Sequence, residues 1–125
     1  DDIDVTGCYD AFTYTVMLQL EDYGWCKKGE GKDYVKSGAI NLGGKTPNNT
    51  SGGHLCEAYT HGMNMVIENV RQLRGTVDDY CPNAANGEHT YDYSEGGCRQ
   101  VKGAEISMNM GWGTPAVGSA LIMRK

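Results

Sequence analysis

Phenylalanine occurs once in these 125 residues and proline three times. Hydrophobic residues make up 39% of the chain, a thin supply for a core, while 18 glycines imply many turns and close backbone approaches. A chain of this length forms one domain at most, with a modest core. With so little to bury, the expectation is a fold completed by another chain or a second half. Positive charge is also scarce: 11 Lys and Arg stand against 16 Asp and Glu, a net charge of −5. No basic stripe exists to release counterions, which excludes a nucleic-acid backbone as partner. No run of about 18 apolar residues is present, so no membrane span is expected, and no signal-peptide core is evident. The cysteines, Cys8, Cys26, Cys56, Cys81 and Cys98, are odd in number and hold no C-x-x-C pair. Reduced thiols in a cytoplasmic setting follow, with a Cys81–Cys98 bridge as the lesser alternative.

Several catalytic signatures are missing as well. His54, His61 and His89 lack the short-spaced partners that zinc requires, so no metal site is expected. There is no G-x-S-x-G elbow and no Walker loop. Lys27, Lys28, Lys32, Lys36 and Lys45 sit in polar connectors, unsuited to a Schiff base. Cys56 has no assignable histidine and reads as a small buried thiol. Tyrosine is what remains, with eight copies.

The chain is organised around Asn49 to Gly75. Asn49, Thr50, Ser51, Gly52 and Gly53 form a small-residue loop that lets the backbone pass close to something, an anion or a thioester carbonyl held by free N–H groups at a helix start. From Tyr59 onward Met63, Val66, Ile67, Val70 and Leu73 fall on one helical face, with Glu68, Arg71, Gln72 and Arg74 on the wet side. Gly75 supplies the positive-φ stop. The alternative reading, a surface loop feeding an ordinary packed helix, stays open on pattern alone. Upstream, Asp1 to Gly7 reads as a strand end that begins abruptly, as if a preceding half were missing. Cys8 to Tyr23 reads as a helix, with Asp10 as N-cap, Phe12, Val16, Leu20 and Tyr23 on one face, and Gly24 as terminator. Residues 25–44 form a glycine-punctuated connector. Residues 76–103 are a long polar loop of the kind that contacts partners, and the chain ends in two strands, 104–110 and 116–123, joined around Trp112.

Tyr9 and Tyr59 stand out because each sits at an expected helix start. The positive end of the dipole favours the phenolate there, so a lowered pKa and general acid or base work are expected. His54 and His61 flank the second of these and could orient a hydroxyl or touch a ligand. Taken singly, each tyrosine also reads as a packing residue with a satisfied hydroxyl, and the histidines as polar residues at a helix start. Spacing alone does not choose.

The segments YDAFTYTVMLQLEDYGWCKKGEG, NTSGGHLCEAYTHGMNMVIENVRQLRG and MNMGWGTPAVGSALIMRK resemble the C-terminal half of the thiolase superfamily, above all sterol-carrier-protein-type thiolases and the lipid-transfer proteins of bacterial steroid degradation. The resemblance implies an α/β fold, half of a thiolase-like layered structure in which helices pack on a mixed sheet ending in a C-terminal hairpin. The head of the family's first motif falls on Tyr9 of Tyr9-Asp10-Ala11-Phe12. Its catalytic histidine falls on Tyr59, and the cysteine of its Cys-x-Gly motif on Asn109 of Asn109-Met110-Gly111. All three positions depart from the acyl-transfer pattern. A tyrosine pair in their place is similar to the steroid side-chain aldolases of the superfamily. It implies retro-aldol cleavage of a bulky β-hydroxyacyl-CoA to a ketone and a shorter acyl-CoA such as propionyl-CoA. Tyr59 would be the base and Tyr9 the proton donor, with His61, Asn109, Gly111, Gly52 and Gly53 binding substrate. Oxyanion donors are expected at the central helix start and at the Gly111 N–H. No cofactor is implied beyond CoA within the substrate. The implied partners are an N-terminal thiolase-like half and a small zinc-ribbon and OB-fold protein. A non-catalytic acyl-CoA or lipid-binding subunit and a thiolase are the alternatives.

Overall fold

The computed structural model describes residues 2–77, 99–113 and 117–125. Its pivot is β2 (Ile106–Gly113), the middle strand of a three-stranded mixed sheet. β1 (Val5–Cys8) pairs with it in parallel, Val5 opposite Ser107 and Cys8 opposite Met110. β3 (Val117–Arg124) pairs antiparallel, from Gly113 opposite Val117 to Ile106 opposite Arg124. The alternation that suggested two terminal strands holds, but β2 runs on through Gly111, Trp112 and Gly113, so these glycines lie in a strand and not in a corner. Gly111 faces Ser119 across the ladder, and a Cβ there would collide with the Ser119 hydroxyl. The far edge of β1 is closed by residues 47–49. The Thr6 N–H donates to the Pro47 carbonyl (2.9 Å) and the Asn49 N–H to the Thr6 carbonyl (3.0 Å). The Asn48 side chain accepts the Cys8 N–H (3.1 Å).

Four helices complete the structure: α1 (Thr13–Asp22), α2 (Gly31–Lys36), α3 (Gly53–Cys56) and α4 (Met63–Arg74). Leu20 of α1 packs with Cys8, Met108 and Met110, joined by Tyr34 and Val35 of α2. Leu73 of α4 packs with Val5 and Ala104. Strand parity puts Cys8 and Val5 on opposite faces, so the sheet is sandwiched between α1 and α2 on one side and α4 on the other. No helix among the described residues is long and apolar enough to cross a membrane.

Three expectations need correction. The first helix begins at Thr13 and not at Cys8, because the Cys8 N–H and carbonyl are held by the side chains of Asn48 (3.1 Å) and Asn49 (2.9 Å) at the end of β1. The central helix begins at Met63 and not at Tyr59, because His61 (φ 52) and Gly62 (φ 84) occupy the left-handed region and interrupt it. It stops at Gly75 (φ 70), as its sequence indicates. The buried face of that helix is turned from the expected one: Met63 is 58% and Ile67 45% exposed, whereas Met65, Glu68, Asn69 and Gln72 are buried together with Leu73. The inner face can be polar because each of these polar groups meets a partner. Asn69 Nδ2 donates to Asn109 Oδ1 (3.0 Å), and Gln72 Nε2 to the Arg99 carbonyl (2.7 Å). β3 is exposed over most of its length, Val117 and Ile122 included. The long polar loop, the Cys81–Cys98 alternative and His89 fall on residues 78–98, outside the described residues.

Candidate active site

Tyr9 leaves β1 with its backbone fixed on both sides. Its N–H donates to the Met110 carbonyl (2.9 Å) and to Gln19 Oε1 (3.1 Å). Its carbonyl accepts from Gln19 Nε2 (2.8 Å) and Thr15 Oγ1 (3.0 Å). Gln19 and Thr15 are both buried, so α1 acts as a clamp on this one residue. Asp10, expected to cap α1, turns the other way. Its carboxylate accepts the N–H groups of His54 (2.8 Å) and Leu55 (3.3 Å) at the head of α3.

That capping answers what the small-residue loop approaches. Gly53 (φ 69) lies so near Asp10 that a Cβ would overlap the carboxylate and come within 2.8 Å of the Asn49 amide. Gly52 (φ 97) packs against Cys56. The anion at this turn is thus internal, and neither glycine is among the residues lining the cleft described below. Cys56 is exposed, contrary to the expectation of a buried thiol, because α3 ends there and turns it outward. Cys8 is the buried one, on the α1 face of the sheet, and burial pushes its thiol far up, with the Asp10 charge adding to the effect.

Tyr59 stands in the connection between α3 and α4, 69% exposed, and not at a helix head. Its phenol nevertheless comes close enough to Tyr9 to act on the ionisation of that side chain. Four rings form a chain. Tyr9 and His54 have centroids 5.2 Å apart, His54 and Tyr59 4.7 Å, and Tyr59 and His61 4.5 Å. The Tyr9 pKa is raised, the reverse of the dipole expectation: burial is the main cause, followed by the hydrogen bond and charge of Tyr59 and the charge of Asp10. With α1 beginning four residues later, its N-terminus is too far away to compete.

Beside the pair lies a cleft of about 270 Å³ bounded by Tyr9, His61, Met65, Asn109, Gly111 and Leu121. It adjoins a second of about 320 Å³ that shares Tyr9, His61, Gly111 and Ser119 and extends to Trp112. Gly62 closes one wall, its Cα so near the Tyr9 ring that a Cβ would stand 2.9 Å from it. Asn109 contributes a particular asset. Its Oδ1 is held by Asn69, and its buried Nδ2 has no hydrogen-bond partner. Gly7, opposite it in register, leaves the space that this amide fills. The Gly111 N–H is less well placed as an oxyanion donor. The Met110 carbonyl points to Tyr9, so in a regular strand the peptide groups of Gly111 point to β3.

The structure therefore brings Tyr9, Tyr59, His61, Asn109 and Gly111 together and leaves Gly52 and Gly53 apart. Sequence reasoning missed Gln19 and Asn69, buried amides inside helices with no local signal, and it left His54 undecided. Two phenols this close can act on one bound molecule, and no cysteine lines the cleft among the described residues.

Known proteins share the sequence and the fold of this chain. Residues 1–98 match the model of the thiolase C-terminal domain-like family. The 17-hydroxy-3-oxo-4-pregnene-20-carboxyl-CoA lyase of Mycobacterium tuberculosis is 55% identical over 75 residues, which are 60% of this chain and 19% of that protein. The steroid side-chain-cleaving aldolase of Thermomonospora curvata is 51% identical over 75 residues, again 60% of this chain and 19% of that protein. A solved structure, the Ltp2-ChsH2(DUF35) aldolase, shares the fold with a TM-score of 0.76 at 33% identity, covering 98% of this chain and 27% of that one. The chain thus spans 19% of the length of the two curated relatives. In its sheet, its helices and its sequence, the chain belongs to the thiolase C-terminal domain-like family.

Proposed function

We propose that this domain supplies the proton-transfer pair of a carbon–carbon lyase that cleaves a bulky, steroid-type β-hydroxyacyl-CoA to a ketone and a shorter acyl-CoA such as propionyl-CoA. The observation that carries the reading is the ring chain that joins Tyr9 and Tyr59 across His54, at the edge of a cleft walled by Asn109. In the proposed reaction the Tyr59 phenolate takes the alcohol proton. The Cα–Cβ bond breaks, its electrons go into the thioester enolate, and Tyr9 returns a proton to the α-carbon. The raised pKa of Tyr9 supports this division, since a phenol that resists ionisation stays protonated and available as donor. The Asn109 amide, with a donor that lacks a partner, is suited to the enolate oxygen. CoA enters only as part of the substrate. His61 and Gly111 shape the wall on either side.

The domain is proposed to act as part of a larger assembly. An N-terminal thiolase-like half would cover the exposed β3. A small zinc-ribbon and OB-fold protein is the further partner in this reading; the name of the Ltp2-ChsH2(DUF35) aldolase supports a second component as such. The test is ketone and acyl-CoA release by the full-length protein with its partner. Tyr9→Phe and Tyr59→Phe should each lower turnover by about 10²- to 10⁴-fold. Near-wild-type turnover in both variants overturns the proposal, and tight acyl-CoA binding without turnover in the wild type would favour a non-catalytic subunit.

A further inference from the structure

His54 is the buried member of the four-ring chain, 7% exposed, and its Nδ1 is enclosed without a hydrogen-bond partner. An enclosed polar atom of this kind is costly unless it serves a ligand or a proton. The imidazole lies against both phenols, 5.2 Å from the Tyr9 ring and 4.7 Å from the Tyr59 ring by centroid. Its backbone N–H is held by Asp10 (2.8 Å), which fixes the residue at the head of α3. The titratable groups that face it are Tyr9 and Asp10 from the β1–α1 connection and Tyr59 and His61 from the α3–α4 connection, with Cys56 and Glu57 following on its own element.

A lyase of the proposed kind needs one phenolate at neutral pH. A lone phenol, with an ordinary pKa of about 10, supplies it in only about one molecule in a thousand. Moving the proton from the pair to a neighbouring base forms the phenolate without taking up hydroxide. Among the described residues in ring contact with the pair, only His54 and His61 can accept it, and His54 is the one that touches both phenols.

We infer that His54 is a positioning residue that acts through the tyrosine pair: it takes the Tyr59 proton, directly or through one water, so that phenolate and imidazolium coexist while Tyr9 stays protonated. The bond broken is the Tyr59 O–H and the bond formed is an imidazole N–H, so charge is conserved within the cluster. The proton returns to the pair after the alcohol has been deprotonated and the α-carbon protonated. This inference rests on the reading of Tyr9 and Tyr59 as the proton-transfer pair.

The test compares wild type, His54→Phe and His54→Asn in the full-length protein with its partner, using pH profiles of turnover and ultraviolet tyrosinate titration. Both variants remove the proton acceptor, one keeping a ring and the other a polar group, so a failure of one to fold leaves the other informative. The acid limb of the turnover profile should move upward by more than about one pH unit, with activity recovering as pH rises. The tyrosinate signal that Tyr59→Phe abolishes should move with it. An unchanged limb, or uniform inactivity across pH in a folded variant, overturns the role of His54 and leaves the pair standing. Near-wild-type turnover in both Tyr9→Phe and Tyr59→Phe overturns the underlying reading instead.

Discussion

Glu68 offers the sharpest test of what holds the helix behind the cleft in place. Its carboxylate is buried on α4, where Oε1 accepts from Arg99 Nε (2.8 Å), Thr50 Oγ1 (2.8 Å) and Gln72 Nε2 (3.3 Å), and Oε2 from Arg99 Nη2 (3.0 Å). Burial is the largest influence on its pKa and acts upward. The hydrogen bonds from Arg99 and Thr50, the Arg99 charge and the Gln72 bond together outweigh it and leave the carboxyl below its ordinary range. Replacing Arg99 by Met keeps the stem but strands a buried charge, which costs about 3–5 kcal/mol in comparable pairs. Arg99 keeps 17% of its side chain in water, so about 3 kcal/mol is the expected loss. Glu68→Gln preserves shape and strands less, costing about 1–3 kcal/mol. The double variant should cost less than the sum of the two by about 2 kcal/mol, since neither charge is then left alone. The readout is amide hydrogen exchange at Val101, whose N–H donates to Gln72 Oε1 (2.7 Å), and at Val77, whose N–H donates to Gln100 Oε1 (3.2 Å). A loss of about 3 kcal/mol corresponds to roughly a hundredfold faster exchange. Because the folded pKa lies below the unfolded one, the stabilisation is complete above the unfolded value. It fades as pH falls through the folded value, so acid should lower the exchange protection, measured against the intrinsic rate at each pH, more in wild type than in Glu68→Gln. Strict additivity in the double variant, or less than a twofold change in Arg99→Met, refutes the reasoning.

Three further outcomes follow from the same structure. Gln19→Leu removes the clamp on the Tyr9 backbone and should lower stability by about 1–3 kcal/mol by thermal unfolding, with a larger loss in turnover than in substrate binding. Gly53→Ala introduces a Cβ at φ 69 against the Asp10 carboxylate and should destabilise the head of α3 by more than about 1 kcal/mol, whereas Gly75→Ala, with nothing within 4 Å, should lose only its helix-stop contribution. Thiol labelling of the native protein at pH 8 should modify exposed Cys56 and spare Cys8, whose thiol is buried and pushed upward; mass spectrometry of the labelled peptides reads the contrast, and rapid native labelling of Cys8 would contradict its burial.

The sequence was legible where the cause was local. Alternation in AEISMNM and AVGSALIM marks a strand pair because a half-buried sheet has period two, and Gly75 marks a helix end because an L side chain resists φ 70. It was misleading where the partner lies far along the chain. Asp10 looks like the cap of the helix that follows it, yet it satisfies N–H groups 44 and 45 residues away. Asn69 finds Asn109 at a separation of 40, and Gln19 holds a residue ten positions back in a strand exit. Nothing in the spacing of Tyr9 and Tyr59 announces that both lie against His54. Only the family resemblance placed them at one site, and the expected reason for a shifted pKa, helix dipoles, gives way to burial and mutual contact.

The turned face of α4 is the deeper case. The stripe from Met63 to Leu73 at helical spacing ordinarily marks the face that meets the sheet, yet here only Leu73 of it is buried, Met63 and Ile67 are exposed, and Glu68, Asn69 and Gln72 join Met65 inside. An apolar stripe reports only that some surface is to be covered, not which one. In this chain the inward surface, beside Met65 and Leu73, carries polar groups because it has two tasks that methyl groups cannot perform. It ties the segment of residues 99–101 to the helix through Glu68 and Gln72, and it grips the Asn109 amide so that one end of it is spoken for and the other is left as a donor. A helix that aimed leucines at β2 would gain burial and lose the orientation of that amide. Met63 and Ile67, close in sequence to Tyr59 and His61, then remain as apolar surface.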